Sequence, residues 1–126
     1  MTKPVAERCI LVVDDEPAVN ASIKMMLGEI GHHVDSAGNA TEALSLFRVG
    51  KYSVVFTDYN MPDMKGDVLA KRLKSMDPKQ PVVMITAHPF VPVPEIDLVI
   101  PKPFTFAALC EAVTRFCPPE GVGAGR

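Results

Sequence analysis

The sequence predicts a doubly wound α/β fold, and three observations carry that prediction. Cys9-Ile10-Leu11-Val12-Val13, Val54-Val55-Phe56 and Val82-Val83-Met84-Ile85 are continuous apolar runs, as strands buried on both faces of a parallel sheet are. Stretches with helical spacing separate them, which is the pattern of βα repeats. Each run then ends on a chemically active residue: Asp14-Asp15, Asp58 or Thr86. Open α/β sheets keep their ligand crevices at these C-terminal strand ends.

Taken in order, residues 1–8 read as a short arm and the domain as residues 9–117. The first strand gives way to Asp14-Asp15-Glu16-Pro17. Proline suits the first turn of a helix, where its missing N–H has no partner to lose. Val19, Ile23, Met26, Leu27 and Ile30 then fall on one helical face, and Gly31 closes the helix. His33-Val34-Asp35-Ser36-Ala37 alternates and is more polar, as an edge strand is. Gly38-Asn39 opens a second helix, with Ala40, Ala43, Leu44 and Phe47 inward and Gly50 at its end. After the third strand and Gly66, a helix carries Val68, Leu69, Leu73 and Met76 on one side until Asp77-Pro78 stops it. The fourth strand ends on Thr86. Pro89, Pro92 and Pro94 rule out a regular helix in the segment that follows. Leu98-Val99-Ile100 is a short fifth strand, and Pro101-Lys102-Pro103-Phe104 comes next. The last helix bears Phe106, Leu109, Cys110, Val113 and Phe116; residues 118–126 form a flexible tail.

Right-handed crossovers leave few topologies for five such strands. The flavodoxin-like order 2-1-3-4-5 fits best, because it puts the polar second strand at an edge. It also sets Asp14-Asp15 and Asp58 across the switch point of the sheet.

Composition narrows the function. With 126 residues and 48% apolar content there is one domain with an ample core. A net charge of −2 gives no electrostatic reason for direct contact with nucleic acid or an anionic membrane. No apolar run is long enough to span a bilayer, and no signal peptide opens the chain, which points to the cytoplasm. Cys9, Cys110 and Cys117 have no metal-type spacing; the first two are expected as core thiols, the third near the tail.

Asp58 at a buried strand end is a nucleophile, a metal ligand or a helix cap, and Asp15 alone would read as a cap for the first helix. Three acids converging on one crevice repel one another when ionised, so the cluster either holds a proton or binds a hard cation. All-oxygen ligands with open positions suit Mg²⁺. Thr86 and Lys102 flank the same end of the sheet, a hydroxyl donor and an ammonium fit to cradle a phosphoryl group that a carboxylate can accept. The proline on each side of Lys102 argues against a merely solvated lysine. There is no Gly-x-x-x-x-Gly-Lys motif to hold ATP by a P-loop.

Together, Asp14-Asp15, Asp58-Tyr59-Asn60-Met61-Pro62-Asp63-Met64-Lys65-Gly66, Ile85-Thr86-Ala87 and Pro101-Lys102-Pro103-Phe104 resemble a response-regulator receiver domain over residues 9–117. The resemblance implies that Asp58 is the phosphoacceptor of a two-component phosphorelay, served by a sensor histidine kinase or a histidine phosphotransfer protein. It implies Mg²⁺ on the side chains of Asp15 and Asp58, on the backbone carbonyl of Asn60 and, through water, on Asp14. Lys102 and Thr86 would contact the phosphoryl oxygens, the Lys102–Pro103 bond would be cis, and His88 would influence dephosphorylation. Gly66 would permit a turn that most residues could not.

Two departures accompany the resemblance. Residues 87–101 are too few for a strand, a normal helix and their loops, so the helix between strands four and five is expected to be missing or reduced to a turn. Val99 stands where the family places an aromatic partner of the threonine. Both fall on the family's usual signalling face, so a different readout surface or a homodimer is expected. The leading reading is a stand-alone receiver with an unknown downstream protein. Its rivals are a pseudo-receiver adaptor that takes no phosphate and a small Mg²⁺-dependent phosphatase, the latter disfavoured by Asn60 where haloacid-type enzymes have a second acid.

Overall fold

The computed structural model describes residues 9–87 and 93–116. Strands β1 (Cys9–Val13), β2 (His33–Ala37), β3 (Val54–Asp58), β4 (Val82–Thr86) and β5 (Leu98–Pro101) form one parallel sheet in the order β2-β1-β3-β4-β5. Four helices are present among the described residues: α1 (Pro17–Glu29), α2 (Ala40–Leu46), α3 (Gly66–Met76) and α4 (Phe106–Phe116). This is the flavodoxin-like fold and strand order expected, and no helix lies in the described residues between β4 and β5.

The apolar runs are central because both of their faces are covered. Ile10, Val12, Phe56, Val83 and Ile85 pack with Ile23 and Leu27 of α1 and Leu109, Ala112 and Val113 of α4. Leu11, Val13, Val55 and Val82 pack on the opposite face with Ala40 and Ala43 of α2 and Leu69, Ala70 and Leu73 of α3.

Several expected positions differ. Ile30 is the C-cap of α1 and exposed, because Gly31, at φ 100°, already turns the chain away. α2 stops at Leu46; Phe47 leaves helical geometry, buries its ring and stacks on Tyr52, so Gly50 belongs to the following turn. Val68, Met76 and Phe106 lie outward on their helices, since Leu69-Ala70-Leu73 and Leu109-Ala112-Val113 already fill the inner faces. Cys9 and Cys110 are half-buried and not core thiols; Cys9 packs against the cluster beside α2 and α3. The expected arm (residues 1–8) and tail (118–126), with His88 and Cys117, lie outside the described residues.

Candidate functional site

Parallel register brings the active side chains to one end of the sheet. Val13 pairs with Thr57, Asp58 with Ile85, and Thr86 with Pro101, so Asp14, Asp58, Thr86 and Lys102 follow one another along the C-terminal rim. Asp14 (3% exposed), Asp58 (8%) and Thr86 (4%) are buried, whereas Asp15 is exposed. Carboxylate oxygens of Asp14, Asp15 and Asp58 lie within 4.8 Å of one another. The Lys102 ammonium reaches in from above, 3.2 Å from Asp14 Oδ2, 3.4 Å from Asp58 Oδ1 and 3.7 Å from Glu16 Oε1. Asp15, Glu16, Asp58, Asn60, Ala87 and Lys102 line the resulting crevice of about 270 Å³.

The electrostatics follow from burial and like charge. Burial, then the neighbouring Asp14 charge, raises the Asp58 carboxyl above the ordinary carboxylate range, with Lys102 pulling the other way. Burial works against the Lys102 ammonium, but Asp14 and Asp58 together hold its pKa above that of a free lysine. An ammonium seated between the carboxylates shows that this crevice stabilises positive charge. The donor set is all oxygen and partly open to solvent, which fits a hard divalent cation such as Mg²⁺.

Asp15 is not the helix cap. The N-cap of α1 is Glu16 with no side-chain cap bond, and the Glu16 N–H donates to Asp14 Oδ1 at 2.9 Å. Asp15 is thereby left facing the crevice mouth. Asn20, one turn into α1, donates through Nδ2 to the carbonyls of Asp14 (2.7 Å) and Ala37 (3.0 Å), tying the ends of β1 and β2 together. Asn60 lines the crevice, and its side-chain oxygen accepts from Lys65 Nζ at 2.6 Å. The Lys102–Pro103 peptide is cis. Val99 pairs with Met84, on the face of Thr86, and is 39% exposed.

Gly66 and Asp63 act in ways that the sequence does not reveal. Gly66 does not adopt a positive φ; an added Cβ there would run into the backbone carbonyl of Asp58, so glycine is required by close approach and not by turn geometry. Asp63, read in the sequence only as part of the loop after Asp58, accepts from the Ala40 and Thr41 N–H groups (3.1 and 2.8 Å) and from Thr41 Oγ1 (2.6 Å). It caps the first turn of α2 from 22 and 23 residues away in sequence, alongside the local cap Asn39. Those Thr41 bonds hold its carboxyl below the usual range. Asp63→Ala is therefore expected to accelerate amide hydrogen exchange at Ala40 and Thr41 while leaving the amides of α3 unchanged. Unchanged exchange at both residues would show that Asn39 suffices.

Comparison with known proteins agrees with this fold. The family model for the response regulator receiver domain matches residues 10–114. The sensory transduction protein LytR of Staphylococcus saprophyticus is 34% identical over 111 residues, 83% of this chain and 44% of that protein. The sensor histidine kinase RcsC of Salmonella typhi is 31% identical over 113 residues, 85% of this chain but 12% of that protein. The chain thus spans less than half the length of these curated relatives. Among solved structures, the response regulator TrrA from Thermotoga maritima, in complex with Mg²⁺-BeF, is 32% identical. It superposes with a TM-score of 0.79 over 86% of this chain and 98% of that one. This chain belongs to the response regulator receiver domain family of two-component systems.

Proposed function

We propose that Asp58 accepts a phosphoryl group from a phosphohistidine on a sensor histidine kinase or histidine phosphotransfer protein, and that the chain is a signalling module and not a turnover enzyme. The observation that carries this is the Lys102 ammonium held between the buried carboxylates of Asp14 and Asp58. That arrangement has a nucleophile and a movable countercharge in one crevice. The kinase partner is supported by the similarity to RcsC, itself named a sensor histidine kinase. A cytoplasmic phosphorelay is the setting this reading implies; no described helix is long and apolar enough to cross a membrane.

In the transfer, an Asp58 oxygen forms a bond to phosphorus as the donor's phosphorus–nitrogen bond breaks. The electron pair of that bond leaves with the imidazole nitrogen. Lys102 can turn from Asp58 to the incoming phosphoryl oxygens while retaining Asp14, and Thr86 supplies a hydroxyl from the adjoining strand end. Mg²⁺, when bound, would be held by Asp14, Asp15, Asp58 and the Asn60 carbonyl and would offset the charge of the phosphoryl oxygens. Lys65 anchors the Asn60 side chain, steadying the loop that carries this carbonyl. With Val99 in place of an aromatic and no described helix between β4 and β5, we further propose that the phosphorylated state is read through another surface, by a downstream protein or a second copy.

Incubation with Mg²⁺ and acetyl phosphate, followed by intact-mass measurement, tests the reading. The wild type is expected to gain one phosphoryl group and Asp58→Asn none. No gain by the wild type would overturn it in favour of a constitutive adaptor. Rapid turnover of many phosphate esters would overturn it in favour of a phosphatase.

A further inference from the structure

The opposite end of the sheet carries a second cluster with different chemistry. Cys9 opens β1 and His33 opens β2; the two are register partners. Asp35 follows two residues along β2 and so shares their face. Sulfur, imidazole nitrogen and carboxylate oxygen from these three residues lie within 4.8 Å of one another. Five-residue parallel strands separate this cluster from the acidic crevice by roughly 15 Å.

We propose that Cys9, His33 and Asp35 form a binding site for a borderline divalent transition cation, Zn²⁺ in particular, distinct from the phosphoacceptor crevice. A thiolate, an imidazole and a carboxylate with a fourth position open are the ligands of zinc and not of Mg²⁺, which takes oxygen alone. Bonds of about 2.0–2.3 Å in tetrahedral geometry hold ligand atoms roughly 3.3–3.8 Å apart. His33 Nε2 and Asp35 Oδ1 already lie 3.0 Å apart, and the thiol must close by at most about 1.5 Å to complete the set.

A supporting shell is also in place. The buried Tyr52 donates its hydroxyl to Asp35 Oδ2 at 2.7 Å, which orients the carboxylate and leaves Oδ1 toward His33. Hydrogen bonds of this kind fix and tune metal ligands. Lys51 Nζ lies 3.5 Å from Asp35 Oδ2. It sits on an exposed side chain that can swing into solvent. A bound ion would join the edge strand β2 to the start of β1.

Titration of the reduced full chain with Co²⁺ separates this site from the acidic crevice, because oxygen ligands give no thiolate-to-cobalt charge-transfer band. The wild type is expected to develop that band to saturation at one equivalent and to lose it on adding Zn²⁺. Cys9→Ser, a nearly isosteric change, is expected to abolish it. His33→Gln and Asp35→Asn, at positions with solvent access, are expected to weaken Co²⁺ binding about tenfold or more. Circular dichroism of each variant checks that the fold is kept. Absence of a band in the wild type, a band that survives Cys9→Ser, or affinity indifferent to His33→Gln would overturn the proposal.

Discussion

Gly66→Ala is expected to destabilise the protein by about 3 kcal/mol, lowering Tm by on the order of 10 °C. Helix propensity alone predicts the opposite sign. Gly66 is the first residue of α3 with an ordinary negative φ, where alanine is normally favoured over glycine by about 0.5–1 kcal/mol. The local packing reverses this. The new methyl would meet the Asp58 carbonyl oxygen, and would stand 3.1 Å from both the Asp58 carbonyl carbon and Met84 Cε. The methionine can move, but the Asp58 backbone cannot without disturbing the end of β3. The Gly66 N–H also donates to the Tyr59 carbonyl at 2.8 Å, so α3 cannot retreat without breaking that bond. Gly28 offers the contrast, since nothing lies within 4 Å of a Cβ built there. Urea denaturation of Gly66→Ala measures the effect, and phosphoryl uptake by the same variant should slow because Asp58 is displaced. A variant as stable as the wild type would show that the close approach relaxes at little cost.

The sheet and most of the site could be read from the chain because the relevant signals are local. A continuous run such as Val54-Val55-Phe56 has only one economical place, the middle of a sheet covered on both sides, and the acid that ends it must then lie at the rim. Once the strand order was inferred from the polar β2, the meeting of Asp14, Asp15, Asp58 and Lys102 followed from parallel register. What escaped depended on partners distant in sequence. Asp63 looks like any turn aspartate until α2 is laid beside its loop. Tyr52 looks like a residue before a strand until Asp35 of β2 lies opposite its hydroxyl. Helical periodicity placed Val68 and Met76 inward because it counts apolar residues without knowing how wide a stripe the sheet can cover. Gly66 was assigned to the right loop for the wrong reason, since a sequence shows that a side chain is missing but not which atom would have struck it.

In metal-free buffer at neutral pH, Asp58→Asn is expected to be more stable than the wild type by about 1 kcal/mol, or roughly 5 °C in Tm. Burial and the Asp14 charge raise the folded-state pKa of Asp58 above its ordinary 3.8, so folding favours the protonated acid. A group raised in this way contributes its full stability below its unfolded pKa and loses it as the pH rises through the folded value. Asparagine does not titrate and keeps that contribution at every pH. It still offers Lys102 an amide oxygen, while Asp14 retains the ammonium at 3.2 Å. The advantage of the variant should therefore shrink as the pH falls and vanish below about 3.8, the ordinary value for the side chain. Thermal unfolding across that range, with Lys102 charged throughout, measures the difference directly. Adding Mg²⁺ should then raise the Tm of the wild type, because a ligand that binds only the folded state stabilises it by mass action, and should do so much less in Asp58→Asn, which lacks that carboxylate. An Asp58→Asn protein less stable than the wild type at neutral pH would mean that the Lys102 pairing outweighs burial and repulsion. If the order holds, the residue proposed to take the phosphoryl group is one the fold retains at a cost in stability, and the charge that makes it costly is the charge its chemistry requires.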